Sequence, residues 1–149
     1  MLQRTGVVGQ AVRPGPAIYA VDLLGAGRLP QWHQLFASAA ELGFDHVLIP
    51  PPWAPRPGET LFLTDADAAL HPALGWDGDG LDGLARLCAM AREHGLAPLL
   101  DLVLDRVAAG GALAEAGRGV FTPPDPEAAL DPRRVVDLAA AVADTGSEE

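Results

Sequence analysis

Two stretches of this chain follow one plan. "ELGFDHVLIP" (41–50) and "EHGLAPLLDLV" (93–103) each read as a helix end, a Glu, one residue, a Gly and then an apolar run. Each is preceded by a stripe of helical period: Trp32, Leu35, Phe36, Ala39 and Ala40 before the first, Leu81, Leu84, Leu87, Cys88 and Ala91 before the second. An earlier apolar run, "AIYAVDLL" (17–24), is bounded by Pro16 and Gly25. The order is strand, helix, strand, helix, strand, with strands expected over 17–24, 46–53 and 97–104. Consecutive strands joined through helices pair in parallel, because the crossover returns the chain to the same end of the sheet. The punctuation agrees. Pro30 suits a first helical turn, Asp79 an N-cap, and Gly43 and Gly95 the helix stops.

The rest of the chain has weaker signals. Residues 1–16 read as a flexible lead-in, 54–78 as a Pro-, Gly- and Asp-rich loop, and 121–132 as another loop. "ALAEAG" suits a helical turn, and 133–146 reads as a third helix through Val135, Val136, Leu138, Ala139 and Val142. Residues 147–149 form a tail. Two architectures accommodate this pattern: an open doubly wound sheet, or the first three β/α units of a (β/α)8 barrel with parallel strands. Both build sites at the carboxyl ends of strands. There is no GxGxxG after the first strand and no Walker loop, so nothing supports a phosphate-binding open sheet.

The third strand carries an oddity. Asp101 lies within it, and Asp105 and Arg106 stand at its exit. Buried charge needs partners. These three are therefore either a structural Asp–Arg network or part of a site. The wider charge balance narrows the partners. Twenty acidic residues face ten basic ones, a net charge of −10. That argues against nucleic acid and against anionic membranes. No apolar stretch reaches the roughly 20 residues that span a bilayer, and the N-terminus lacks the apolar core of a signal peptide. Cys88 is the only cysteine, so no disulfide framework exists. A cytoplasmic protein without a cofactor is the expectation.

With these residues in view, the chain resembles the front of the catalytic barrel of the α-amylase family of glycoside hydrolases and glucanotransferases. The likeness is greatest to bacterial maltosyltransferases that extend α-1,4-glucans from maltose 1-phosphate. Four stretches in the family's order carry it: "AIYAVDLL", "WHQLFASAAELGFDHVLIPPPW", "LFLTDADAALHPALG" and "HGLAPLLDLVLDRVA". The last resembles the family's first conserved block, Asp-x-Val-x-Asn-His. Asp101 and Val103 match it, and Asp101 is a structural residue in the family. Asp105 stands where the family has Asn, and Arg106 where it has a sugar-contacting His. The family's Asp-Tyr falls near Ala66–Asp67, but its Tyr is missing, since Tyr19 is the only tyrosine. The resemblance implies carbohydrate metabolism, with an α-glucan or maltooligosaccharide as ligand. It makes Asp105, Arg106 and Asp67 candidate sugar contacts. Trp53 and Trp76, in loops at element ends, are further candidates for stacking on sugar rings.

The family's nucleophile Asp, acid/base Glu and second His-Asp pair lie on its fourth, fifth and seventh strands, so no catalytic residue carries over to these 149 residues. A retaining glycosidase needs two carboxylates about 5–5.5 Å apart. Three functions remain open. One is part of a glucan-active glycosidase or glucanotransferase, completed by the remaining barrel or a partner domain. A second is a non-catalytic amylase-like domain that binds glucan or braces an active module. The third is a free-standing α/β binding protein. Other candidates are weaker. His33, His46, His71 and His94 fall in different elements without a metal-ligand spacing, so no metal site is expected. "GWDGDGLDG" (75–83) lacks the remaining ligands of a calcium loop, and Asp79 and Asp82 suit helix capping better. Cys88 reads as inert core, and Ser38 and Ser147 lack a nucleophile context.

Overall fold

The computed structural model describes residues 15–64, 69–116, 121–122 and 133–140. Within them three strands form one parallel sheet: β1 (Ile18–Ala20), β2 (His46–Ile49) and β3 (Ala97–Leu100), in that spatial order. Helix α1 (Trp32–Glu41) joins β1 to β2, and α2 (Gly80–Glu93) joins β2 to β3. The tandem crossover read from the repeat is therefore present. Gly43 and Gly95 take φ of 89° and 76°, the left-handed turn that ends each helix before its strand.

Register explains which face of the sheet is buried. Tyr19 pairs with Val47, and Val47 with Pro98. This register row points toward the helices, as do Val21, Ile49 and Leu100. Val47 and Ile49 are fully buried there beside Trp32, Phe36, Ala39, Leu87, Met90 and Ala91. The alternate rows, Ile18–His46–Ala97 and Ala20–Leu48–Leu99, face the opposite side. None of these six belongs to the buried core.

The strands are shorter than the apolar runs. After Val21 donates to Leu48 O (3.0 Å), Asp22 takes over. Its carboxylate accepts from Leu24 N and its carbonyl from Ala26 N, turning the chain out of the sheet. β2 stops because residues 50–52 are prolines and offer no N–H. β3 loses its neighbour at the same level. Asp101 N donates to Ile49 O (2.9 Å) as the last rung, and Leu102 and Leu104 emerge 56% and 65% exposed.

Two further corrections concern helices. Leu81 was expected on the apolar stripe of α2 but is exposed; Gly83, Leu87, Met90 and Ala91 form the buried face. The helix over 133–146 is also revised. Arg133–Val135 is a strand, β5, paired antiparallel with β4 (Arg106–Ala108). The β-branched pair Val135–Val136 favours extension. Helical backbone appears at 138–140, where Asp137 accepts from Ala139 N and Ala140 N as a cap. "ALAEAG" does form a short helix, α3 (Ala112–Glu115). The lead-in over 1–14 and the tail over 147–149 lie outside the described residues.

Gly83 tests the packing. A Cβ there would sit 2.5 Å from Leu70 Cδ1 and 2.8 Å from Trp76 Cδ1. Gly83→Ala should therefore destabilise the fold by about 1–3 kcal/mol through overpacking, although Ala is the better helix former. Thermal unfolding followed by circular dichroism measures this, and an unchanged or higher Tm would refute the close contact.

Candidate functional site at the carboxyl end of β3

The site begins where β3 loses its hydrogen-bonded neighbour. The chain beyond Leu100 is not held in a ladder, and five of its residues line an open cleft of about 250 Å³: Asp101, Leu102, Val103, Asp105 and Arg106. The sixth lining residue, Phe62, comes from the loop after β2. Three of the charges singled out in the sequence thus share one cleft.

Their chemistry is set by one ion pair. Arg106 Nε donates to Asp105 Oδ1 at 2.9 Å, and its Nη2 donates to Oδ2, a two-pronged pairing. The hydrogen bond from Arg106 holds the Asp105 carboxyl below its ordinary value; Arg133 lends a smaller Coulombic push in the same direction. Among the described residues, Asp101 adds a carboxylate at the cleft without a side-chain hydrogen bond. The cleft therefore offers carboxylate acceptors, an arginine donor and a half-exposed aromatic ring (Phe62, 47%). Hydroxyl-rich ligands with apolar faces suit that combination.

Loops fix the cleft from outside. Pro55 and Thr64 form an antiparallel bridge, Ala108 N donates to Thr64 O at 3.3 Å, and the Arg56 guanidinium donates to Ala109 O. The loop carrying Phe62 is thereby tied to β4.

The other candidates sit elsewhere. Trp53 bridges Leu70 at the exit of β2 and packs on the core. Trp76 donates its indole N–H to Asp79 O (2.8 Å) and packs against Gly83. Neither lines the cleft. Asp67 lies outside the described residues. Asp79 caps α2 by accepting from Leu81 N (2.8 Å) and Asp82 N (3.2 Å), while Asp82 occupies the first turn. Cys88 is partly buried, and desolvation raises its thiol pKa. Sequence reasoning missed Phe62; its signal was an aromatic residue in a loop rich in Gly and Pro. It also missed that His33 Nδ1 and His94 Nε2 come within 3.2 Å. Among the described residues no group of three donors could hold a metal ion, and no helix is long and apolar enough to cross a membrane.

Comparison with known proteins follows this geometry. No family model matches the chain. Over 120 residues it is 38% identical to the α-1,4-glucan:maltose-1-phosphate maltosyltransferase of Burkholderia pseudomallei, an alignment of 79% of this chain and 10% of that protein. The fold aligns with an α-amylase from Lactobacillus plantarum at a TM-score of 0.66 and 16% identity, covering 86% of this chain and 32% of the amylase. It aligns with a noncanonic maltogenic α-amylase from Thermotoga neapolitana at 0.63 and 14% identity, covering 82% and 32%. By sequence and by fold, the chain's likeness is to the α-amylase family. The architecture is part of a (β/α)8 barrel, which decides against the doubly wound sheet. The chain spans about a tenth of the length of the maltosyltransferase it matches.

The Asp105–Arg106 pair has a pH consequence. A carboxyl with a depressed folded pKa stabilises the fold above its unfolded value of 3.8. That contribution is lost as pH falls through the lower folded value. Asp45 behaves alike, held down first by its hydrogen bond from His46. Acid titration should show the loss below about pH 4, and Asp105→Asn should flatten the pH dependence of Tm there. An unchanged slope would mean that the pair contributes nothing.

Proposed function

We propose that residues 17–146 are the front of an amylase-type barrel and contribute an α-glucan contact at the end of β3, without supplying the catalytic carboxylates. The cleft carries this reading: Asp101, Asp105, Arg106 and Phe62 converge at the carboxyl end of a strand, where such barrels build their sites. The printed name of the maltosyltransferase relative supports α-glucan as the ligand class. The chemistry of the completed protein would be double displacement at an anomeric carbon, with nucleophile and acid/base from strands beyond these three. Asp67 belongs to the proposed contact set through the resemblance of its loop. Trp53 and Trp76 lie outside this cleft, and Trp76 lines a separate one with His33 and Arg86.

A second reading has its own support. Arg106 chelates Asp105 where the family places a sugar-contacting His. The sole tyrosine, Tyr19, is packed edge-on against Phe44 at 5.3 Å, so it cannot supply the missing platform. Both features favour a non-catalytic amylase-like domain that binds glucan or braces an active module.

Titration with maltooligosaccharides, followed by NMR, tests the contact. Resonances of Asp101, Phe62 and Arg106 should shift, and Phe62→Ala should weaken binding about three- to tenfold, the scale of an aromatic contact of 0.5–1.5 kcal/mol. Saturation elsewhere on the molecule, or none at all, would remove the cleft from consideration. In the completed protein, Asp105→Asn with Arg106→His should tighten glucan binding if the ion pair occludes the subsite. Weaker binding would instead make the pair part of the contact.

A further inference from the structure

Another cleft, of about 230 Å³, lies on the helical side of the sheet, between the start of α1 and α2. Leu29, Pro30, Trp76 and Met90 give it apolar walls, and Arg86 and His33 are its polar groups. Trp76 is fixed in place. Its indole N–H donates to Asp79 O (2.8 Å), and the ring lies against Gly78 and Gly83, where a Cβ would stand 3.0 and 2.8 Å from Nε1. Gly75 lines the cleft in the left-handed region, at φ 61°, and a Cβ on it would meet Arg28 Nη2 at 2.6 Å. Arg28 thereby adds a second guanidinium at the margin.

Charge sets this cleft apart. The chain carries twenty acidic residues against ten basic ones, and Asp101 and Asp105 line the cleft at the end of β3. Among the described residues no carboxylate lines the cleft at Trp76. Glu93 stands just outside it. Its Oε1 is 3.7 Å from Arg86 Nη1, and its Oε2 is 3.9 Å from His33 Nδ1. Both distances exceed a hydrogen bond, and the Glu93 side chain is half exposed. The two oxygens of one carboxylate can therefore span Arg86 and His33, and the carboxylate that the chain itself offers them is held loosely.

We propose that this cleft binds a small cyclic carboxylate, its carboxylate between Arg86 and His33 and its ring against Trp76 and Met90, and that Glu93 competes for the same two groups. A guanidinium and an imidazole N–H are matched donors for a carboxylate. His33 Nδ1 also lies 3.2 Å from His94 Nε2, so in the tautomer protonated at Nδ1 the ligand shares that donor with His94. A monoanion suits the apolar walls better than a phosphate dianion, because each further charge adds to the cost of desolvation. The volume falls below the roughly 300–1,000 Å³ of sites for drug-sized ligands, which limits the occupant to a single ring. In barrel folds the helices form the outer layer, so a cleft between α1 and α2 lies away from the strands that complete the sheet. Binding there is independent of the β3 cleft and of glucan.

Titration of the 149-residue chain with benzoate tests this, followed by NMR at the Trp76 indole N–H, the Arg86 Nε–H and the His33 ring. Saturable shifts at all three groups are expected by millimolar benzoate. Benzyl alcohol keeps the ring without the charge, and acetate keeps the charge without the ring; each should bind at least about fivefold more weakly. Arg86 is half exposed, so Arg86→Gln should leave the far-UV spectrum unchanged. It should weaken benzoate binding about tenfold or more, the scale of a charged hydrogen bond. Glu93→Gln removes the competitor and should tighten binding about threefold, the scale of a partly exposed ion pair. Absence of shifts at these three groups overturns the proposal. So does binding indifferent to Arg86→Gln, or benzyl alcohol that binds as tightly as benzoate. Acetate binding as tightly as benzoate overturns the part given to the ring, and a Glu93→Gln protein with unchanged or weaker binding overturns the competition.

Discussion

Among the described residues, β2 is the only strand with hydrogen-bonded neighbours on both sides, and the rest of the structure hangs on that. Four residues, His46–Ile49, set the register of β1 on one side and β3 on the other. Because side chains alternate, the same four residues decide which face the helices cover. Val47 and Ile49 draw Trp32, Phe36, Leu87 and Met90 onto one face. His46 and Leu48 point to the other face and, among the described residues, lie outside the buried core. A one-residue slip would turn His46 into the apolar layer, where its imidazole would need a new partner. In the observed register the imidazole Nδ1 donates to Asp45 Oδ1 at 2.6 Å, while Asp45 also accepts from Ala17 N at 2.8 Å. One carboxylate thereby ties the starts of β1 and β2 together.

The place where β2 ends determines where chemistry can occur. Three consecutive prolines remove the donors that would continue the ladder. β3 therefore runs out of partners at Asp101, and the next residues are released into a loop with their side chains free to diverge. A site needs such release, since residues locked into a sheet present only alternate side chains to one face. The charged groups are tolerated for the same reason. Asp105 and Arg106 lie at a solvent-accessible cleft and satisfy each other, so little desolvation opposes them.

Much of this was legible in the sequence. The repeat of Glu, one residue and Gly before each apolar run located both crossovers, because a left-handed glycine after a helix is a backbone requirement. Asp79 was legible as a cap for a similar local reason. The errors came where tertiary context overruled local pattern. Leu81 fits a helical stripe but turns to solvent, while Gly80 and Gly83 of the same turn are the buried positions. Residues 133–135 have the spacing of a helix, yet their backbone pairs with β4, a partner more than twenty residues away in sequence that no periodicity reports. Phe62 was invisible because a loop aromatic gains meaning only when a bridge such as Pro55–Thr64 aims its loop at the strand end. The meeting of His33 with His94 likewise depends on how α1 and α2 pack, not on spacing.

The uncovered face of the sheet argues that three β/α units are an incomplete packing unit. A parallel sheet buries both faces in a finished fold. Here the helices cover the Val47 row, while among the described residues no member of the Ile18–His46–Ala97 and Ala20–Leu48–Leu99 rows belongs to the buried core. In a closed barrel those rows would become interior layers, filled by side chains from strands across the axis. Their composition suits that place. Alanines at positions 20 and 97 leave room at opposite ends of the two rows, beside Leu48 and Leu99 in one and Ile18 and His46 in the other, where side chains from across the axis could pack. The helical side is finished by contrast, with Trp32, Phe36, Val47, Ile49, Leu87 and Ala91 shut off from solvent. Apart from His46, whose imidazole is paired with Asp45, the other face carries small and aliphatic residues and is shaped for further strands against it.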